Sequence, residues 1–194
     1  MKINFIPERT LQHESEFEAM VDFILSQGSI RLVLEIGTYE GGTAYAFAQI
    51  AEKVICVDKR FGSDTCKLPV YVGTEEEKRI IQIQGRSQDI STIVDVRSAL
   101  ATQPVDILFI DGDHHYQEAC VDFWIYSQFV RDDGWIAFHD AINPVCAVRE
   151  FWADTKKRFE HWEFVLDRQP PEKKKTIWKD SVQGIGLVKW RKNA

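Results

Sequence analysis

The chain has 194 residues, of which 44% are hydrophobic and 28% are charged, and its formal net charge is −6. This length and composition are typical of one globular domain with a sizeable core rather than of a disordered chain. Nucleic acids and anionic membranes are bound by clustered Lys and Arg, and no long basic run is present. We therefore expect neither as a partner.

The cysteines and the N-terminus bear on the cellular compartment. None of the four cysteines forms a CxxC pair, and their spacing suggests neither a zinc site nor a disulfide framework. The N-terminal residues lack the apolar region of a signal peptide, and no apolar stretch approaches the roughly 18 residues that span a bilayer. We therefore expect a cytoplasmic protein.

The predicted elements begin with a helical segment, residues 1–29, whose helix runs from about Glu14 to Gln27 and stops at Gly28. Beyond it, short apolar runs rich in β-branched and aromatic residues alternate with helix-like stretches. This alternation predicts a parallel sheet with both faces covered. The predicted strands are residues 32–36, 54–57, 80–84, 105–110 and 135–138. The predicted helices that follow them are residues 43–52, 87–101, 117–130 and 145–159.

The C-terminal third shows a different pattern. Two more strands are predicted at residues 162–166 and 186–190, and only a loop joins them, which suits an antiparallel pair. The fold class predicted for residues 1–194 is therefore a single, doubly wound, Rossmann-like α/β domain. Its seven-stranded sheet is mostly parallel, with an antiparallel last strand. Residues 61–78 exceed a tight connection and are either a substrate loop, lid or partner contact, or surface decoration.

A glycine-rich turn, residues 37–43, follows the first strand, and a helix is predicted to begin near Gly42. The turn does not match the dinucleotide-binding motif, because Tyr39 occupies the position of the second glycine of that motif. It does not match the phosphate-binding loop motif either, because no lysine follows Gly42. Ligands bind at this first turn in doubly wound sheets. Glu35, at the strand end, suits a cationic amino-acid moiety such as that of S-adenosylmethionine, and a purely structural turn is the alternative.

Polar residues also follow the second and third strands. Asp58 ends the second strand, where acids of nucleoside-binding folds accept hydrogen bonds from ribose hydroxyls, although Asp is also a common turn former. Ser87 is either a helix N-cap or a contact to the adenine edge. Lys59 and Arg86 are their neighbours and join them as candidate cofactor contacts.

Acids and histidines cluster after the fourth and fifth strands, and both strand ends open onto the same sheet edge. Two explanations stay open: a divalent cation, or a polar hydrogen-bonded network without metal. Carboxylates suit Mg²⁺, and an imidazole widens the choice to Mn²⁺, Fe²⁺, Co²⁺ or Zn²⁺. An imidazole here could also accept a proton from a hydroxyl near neutral pH. The residues expected to converge are Asp111, Asp113, His114, His139 and Asp140.

The sequence resembles the class I S-adenosylmethionine-dependent methyltransferases from about residue 30 to residue 190. Their first motif, an acid, one residue, Gly, three residues and Gly, matches residues 35–41, and the antiparallel final strand is also theirs. The region after the fourth strand is similar to metal-dependent O-methyltransferases of the macrocin and cephalosporin-hydroxylase type, and more distantly to catechol O-methyltransferase. This resemblance implies His114 as general base and Asp111, His139 and Asp140 as ligands of Mg²⁺ or Mn²⁺. Those families usually carry a carboxylate at the position of His139.

The resemblance implies methyl transfer from S-adenosylmethionine to a hydroxyl of a small-molecule acceptor, with nitrogen as the second choice of acceptor atom. The alternatives are a catalytically silent nucleoside-binding module, an NAD-dependent oxidoreductase of Rossmann type, and a metal hydrolase. A homo-oligomer is compatible with the sequence. The predicted cofactor contacts are Glu35, Gly37, Thr38, Tyr39, Gly41, Gly42, Thr43, Asp58, Lys59, Arg86, Ser87, Asp111 and Asp113.

Overall fold

The computed structural model describes residues 3–6, 9–61, 69–165 and 183–192. Seven strands and five α-helices are found in these parts of the chain. The strands are β1 (Leu32–Ile36), β2 (Lys53–Asp58), β3 (Ile80–Gln84), β4 (Val105–Ile110), β5 (Val130–Phe138), β6 (His161–Phe164) and β7 (Ile185–Lys189). The helices are α1 (Glu14–Gln27), α2 (Gly42–Ala48), α3 (Ile90–Leu100), α4 (Tyr116–Tyr126) and α5 (Val148–Thr155).

The strands form one sheet in the order β3-β2-β1-β4-β5-β7-β6. Neighbouring strands from β3 to β5 are parallel, and β7 is antiparallel to both β5 and β6. The chain crosses from one side of β1 to the other between β3 and β4, so the carboxyl ends of β1 and β4 diverge at a switch point. The predicted fold class, with its antiparallel last strand, is confirmed.

Two apolar layers cover the sheet, as the unbroken apolar strands predict. Helices α1 and α2 cover one face, where Phe17, Phe47 and Phe109 meet edge to face with ring centroids 4.9 to 6.2 Å apart. Helices α3, α4 and α5 cover the other face, around Phe123 and Phe138. A fully buried aromatic side chain contributes about 1.5–3 kcal/mol, so these rings fix the helices to the sheet.

Several predicted element ends differ from the structure. Helix α2 ends at Ala48, before the predicted residue 52, because the amide of Lys53 already donates to the carbonyl of Arg31 as β2 begins. Strand β5 begins at Val130, five residues earlier than predicted, because Val130 pairs with Val105 before a bulge. Residue 166 of the predicted strand 162–166, and residues 62–68 of the predicted loop 61–78, lie outside the described residues.

Helix α3 begins at Ile90 rather than at Ser87, which corrects the interpretation of Ser87 as a helix N-cap. The Ser87 hydroxyl donates instead to a carboxylate oxygen of Asp122 in α4, at 2.7 Å. The hydroxyl of Ser87 is therefore bonded to α4 and not to the first turn of α3. Within the described residues, no helix is both long and apolar enough to cross a bilayer.

The turn after β1 depends on a glycine with a left-handed backbone. Gly37 has a φ of 87°, and a Cβ placed on it would lie 2.0 Å from the backbone oxygen of Asp111. Its amide also donates to the carbonyl of Val57, at 2.8 Å. Residue 37 is therefore held between the ends of two strands, with no room for a side chain.

We expect Gly37→Ala to lower the free energy of unfolding by roughly 3 kcal/mol or more, since it adds a backbone clash to about 1–3 kcal/mol of left-handed strain. The matched control is Gly73→Ala, because Gly73 has a φ of 82° but nothing within 4 Å of an added Cβ. In the control, the free energy of unfolding should fall only by the cost of the left-handed strain, about 1 kcal/mol. Urea denaturation measures both, and equal losses would contradict the close approach.

Candidate active site

The carboxyl ends of β1 to β4 line a cavity of about 320 Å³. Most of the predicted cofactor contacts lie in its wall, together with the predicted base. Glu35, Gly41, His139 and Asp140 are not part of this wall. The predicted residues that do line the cavity are Gly37, Thr38, Tyr39, Gly42, Thr43, Asp58, Lys59, Arg86, Ser87, Asp111, Asp113 and His114.

Asp58 holds the glycine-rich turn in place. Its Oδ2 accepts hydrogen bonds from the backbone amides of Thr38 and Tyr39, each at 2.8 Å, and its Oδ1 accepts one from the amide of Arg60. These bonds satisfy amides that a turn leaves without partners. A carboxylate has about four acceptor positions, so Asp58 retains capacity for a ligand hydroxyl.

Glu35 is completely buried, and its Oε2 accepts a hydrogen bond from the Thr38 hydroxyl at 2.8 Å. Within the part of the chain that the structure describes, its Oε1 has no hydrogen-bond partner. Burial, reinforced by the nearby charges of Asp111 and Asp58, raises the pKa of Glu35 well above its usual range. Burial therefore favours the protonated form of this carboxyl, and its contact with a cationic ligand stays a prediction.

The partly buried Asp111 and the buried His139 form an ion pair directly after β4 and β5. Asp111 Oδ1 is 3.0 Å from His139 Nδ1, and Asp111 Oδ2 accepts a 2.6 Å hydrogen bond from the side-chain amide of Gln12. Burial alone would raise the pKa of Asp111, but His139 and His114 hold it well below its usual range. Burial alone would likewise lower the pKa of His139, but the Asp111 carboxylate raises it to about 9. His139 Nε2 lies 3.2 Å from Oε1 of Gln183, so a protonated His139 has an acceptor on each side.

Asp140 completes the predicted ligand set, and it has a left-handed φ of 57°. Its Oδ1 accepts a hydrogen bond from Asn143, and its Oδ2 lies 3.6 Å from His139 Nδ1. One donor atom from each of Asp111, His139 and Asp140 lies within 4.8 Å of the other two. The three predicted metal ligands therefore lie close together in the structure.

This donor set fits a divalent cation. Ligand atoms around an octahedral ion with bonds of about 2.1 Å lie roughly 3 Å apart, close to the 3.0 and 3.6 Å that separate His139 Nδ1 from the two carboxylates. Binding would require His139 to lose its Nδ1 proton, because only a neutral imidazole nitrogen is a ligand. The cluster is equally compatible with a polar network without metal, because Gln12, Gln183 and Asn143 form hydrogen bonds with its side chains.

The two adjacent histidines have different surroundings. His114 lines the cavity, and its Nε2 lies 3.4 Å from Asp140 Oδ2 and 3.7 Å from Asp111 Oδ1. The neighbouring Asp111 carboxylate raises the pKa of His114, against the opposing effect of burial. His115 is exposed and bonds through Nδ1 to Asp113. Only His114 can therefore exchange a proton with a ligand next to the acidic cluster.

The segment before α1 was not predicted as part of the site. Arg9, Thr10 and Gln12 line the cavity, and among the described residues Gln12 Oε1 is a buried acceptor without a partner. A Cβ on Gly42 would lie 1.8 Å from the Thr10 hydroxyl, so the glycine marks where this segment crosses α2. A glycine at position 42 is compatible with a close approach to the backbone there, but the sequence does not show which segment of the chain lies against it.

The fold and the cavity define a class: a Rossmann-like α/β domain with the seven-stranded topology of the class I methyltransferases. A family model described as a methyltransferase domain matches residues 34–141. The chain belongs to that methyltransferase family.

One curated relative is an uncharacterized protein of Acanthamoeba polyphaga mimivirus. It is 30% identical over 117 residues, which cover 55% of this chain and 50% of the relative. The match thus spans half the length of the relative.

Solved methyltransferase structures share the fold at low sequence identity. The O-methyltransferase TomG from Streptomyces achromogenes, solved with S-adenosylmethionine, is 16% identical with a TM-score of 0.64, over 96% of this chain and 83% of TomG. The N-methyltransferase NodS from Bradyrhizobium japonicum WM9, solved with S-adenosylhomocysteine, is 12% identical with a TM-score of 0.63, over 94% of this chain and 89% of NodS. Both likenesses confirm the fold.

The ion pair of His139 predicts a pH dependence of stability in the metal-free protein. Because folding raises the pKa of His139 from 6.5 to about 9, its contribution is complete below pH 6.5 and is lost as pH rises through 9. Urea denaturation in the presence of a chelator should therefore show a falling free energy of unfolding across this window. His139→Gln should lose most of the slope, and an unchanged slope in that variant would contradict the assignment.

Proposed function

We propose that this chain is an S-adenosylmethionine-dependent methyltransferase that methylates a hydroxyl oxygen of a small-molecule acceptor with the assistance of a divalent cation. The observation that carries the proposal is the position of His114. Its imidazole lies in the wall of the same cavity as the glycine-rich turn and Asp58, beside an acidic cluster that fits a cation. Membership of the methyltransferase family supports the type of reaction.

The cavity suits the parts of S-adenosylmethionine in a definite order. The remaining acceptor position of Asp58 suits a ribose hydroxyl, and the neighbouring Ser87 and Arg86 would then face the adenine. The ammonium needs acceptors, and Gln12 offers near Asp111 a buried Oε1 that has no partner among the described residues. TomG and NodS were solved with this cofactor and with its product, which supports the choice of ligand.

Oxygen is the better acceptor atom because of the surroundings of His114. A hydroxyl must lose its proton as it attacks, and the site offers both a base and a carboxylate set for a cation. Nitrogen is the second candidate, since a neutral amine carries its own lone pair and NodS, an N-methyltransferase, shares the fold. An NAD-dependent oxidoreductase is disfavoured because the turn lacks the dinucleotide fingerprint.

In the proposed reaction the acceptor oxygen attacks the methyl carbon in line with the sulfur, and the carbon–sulfur bond breaks. The acceptor proton passes to His114 Nε2, which lies 3.4 Å from Asp140 Oδ2 and 3.7 Å from Asp111 Oδ1. A cation held by Asp111, His139 and Asp140 would stabilise negative charge on the oxygen and, by neutralising the carboxylates, lower the pKa of His114. Holding the reactants in line contributes much of the acceleration, because it removes the entropic cost of their encounter.

The cofactor is tested by isothermal titration calorimetry. We expect S-adenosylmethionine and S-adenosylhomocysteine to bind and NAD not to bind. Asp58→Ala should weaken binding by about 1.5–3 kcal/mol, because it removes hydrogen bonds to a charged acceptor. Asp95→Ala, on the exposed side of α3, is the control and should bind normally. Tight binding of NAD without a response to S-adenosylhomocysteine would exclude this function.

The cation is tested by chelation during turnover, with methyl-labelled cofactor and a panel of hydroxylated small molecules. Mg²⁺ or Mn²⁺ should support methyl transfer, and EDTA should reduce it, because Asp111, His139 and Asp140 supply suitable donors. Full activity of exhaustively chelated protein would leave the hydrogen-bonded network as the function of this cluster.

The base is tested with two neighbouring histidines. His114→Ala should lower kcat by about 10²- to 10⁴-fold, the usual contribution of a positioned base, and should leave cofactor affinity unchanged. The wild type should lose activity as pH falls through the pKa of His114. The pH–activity profile of the variant should lack this loss on the acidic side. His115→Ala is the control and should be mild, since His115 is exposed and bonds to Asp113. A near-normal kcat in His114→Ala would move deprotonation to another group.

A further inference from the structure

Cys146 lies beside the proposed base, and the proposed reaction does not use it. Its Sγ is 3.7 Å from His114 Nδ1 and 3.5 Å from Asp140 Oδ2, and His114 Nε2 is 3.4 Å from the same carboxylate oxygen. One donor atom from each of the three residues lies within 4.8 Å of the other two. Cys146 and Asp140 are buried, whereas His114 is partly exposed and lines the cavity.

The chemistry of the thiol argues against a nucleophile. Burial, together with the charge of Asp140, raises the pKa of Cys146 to about 12. The thiol is therefore protonated at neutral pH, and a protonated thiol is a poor nucleophile. A metal ion removes this barrier, because it binds the thiolate directly and displaces the proton.

We infer that His114, Asp140 and Cys146 form a second metal site, selective for a thiophilic divalent cation such as Zn²⁺, whose occupation inhibits the chain. Imidazole, carboxylate and thiolate are all zinc ligands, and three protein ligands leave a fourth position for water or a substrate. Mg²⁺ takes oxygen ligands and is a poor partner for sulfur. The sulfur of Cys146 thus separates this site from the set of Asp111, His139 and Asp140.

The donor distances are near those of a zinc site. With bonds of about 2.0–2.3 Å, the donor atoms of a tetrahedral zinc ion lie roughly 3.3–3.7 Å apart. The two contacts to Asp140 Oδ2, at 3.4 and 3.5 Å, already fall in this range. His114 faces its two partners with different nitrogens, so its partly exposed ring must turn to present one nitrogen to the ion.

Inhibition follows from the identity of the ligands, and this consequence rests on the proposed function. A cation bound to His114 occupies the lone pair that would accept the acceptor proton. It also occupies Asp140, which the cation of the proposed reaction requires. Zn²⁺ at this site should therefore block methyl transfer without competing for the adenosine end of the cavity.

Cobalt substitution tests the site without any need for turnover. Titration of metal-free protein with Co²⁺ should produce a thiolate-to-cobalt charge-transfer band in the near ultraviolet, which Zn²⁺ abolishes and a large excess of Mg²⁺ does not. Cys146→Ser should lose the band, and Cys120→Ser, as the matched control, should keep it. The affinity for Zn²⁺ should fall in Cys146→Ser by more than the roughly 10- to 100-fold that loss of an outer-shell partner costs. Absence of the band in the wild type, or its persistence in Cys146→Ser, would overturn the site.

Turnover then tests the inhibition. Zn²⁺ should inhibit the wild type over the concentration range in which it displaces Co²⁺ from the site. Cys146→Ser should stay active and should resist inhibition by Zn²⁺. A wild type that binds Co²⁺ through Cys146 but is unaffected by Zn²⁺ would overturn the inhibitory role. If no acceptor is methylated with any metal, the proposed function fails, while the cobalt spectrum still decides the site.

Discussion

The carboxylate of Asp111 is the contact on which the site depends. It directly follows β4 and joins three other parts of the chain: Gln12 before α1, His114 before α4 and His139 directly after β5. A buried carboxylate has to be paired, because removing a charge from water costs several kcal/mol. Charge and hydrogen bonding therefore hold these segments at the sheet edge, in addition to the apolar packing of α4 and β5. The same strand end presses on the turn at Gly37, which leaves no space for a side chain there.

The two sides of the cavity differ in charge. Near the ends of β2 and β3 it is lined by the acid Asp58 together with Lys59, Arg60 and Arg86, whereas on the side of β4 it is lined by the acids Asp111, Asp113 and Glu118. A ligand that is polar and uncharged at the mixed side and cationic at the acidic side suits this distribution. The acidic side also gives the site its capacity for cations, which explains why a base and two overlapping donor sets occur within a few ångströms of one another.

Much of the fold could be predicted because the strands are buried on both faces and so appear as unbroken apolar runs. The bounds of β1, β3, β4 and α1 agree with their sequence patterns. The ends of other helices depend on contacts between distant segments, such as the bond from Ser87 to Asp122, which no local pattern encodes.

The residues of the site could likewise be predicted from the sequence only in part. Residues 111, 114, 139 and 140 could be placed together because parallel strands bring their carboxyl ends to one edge. Gln12 could not be placed, because it meets Asp111 across 99 residues of sequence. Cys146 has no recognisable metal-ligand spacing to its neighbours, and only the loop after Asp140 brings it to His114.

A crystal structure of the protein with S-adenosylhomocysteine and Mn²⁺ tests the central claim most directly, because the anomalous signal of manganese identifies the ion. The account predicts the ribose at Asp58, the sulfur near His114, and manganese bound by Asp111, His139 and Asp140. A cofactor bound away from the glycine-rich turn, or manganese found only at other residues, would contradict it.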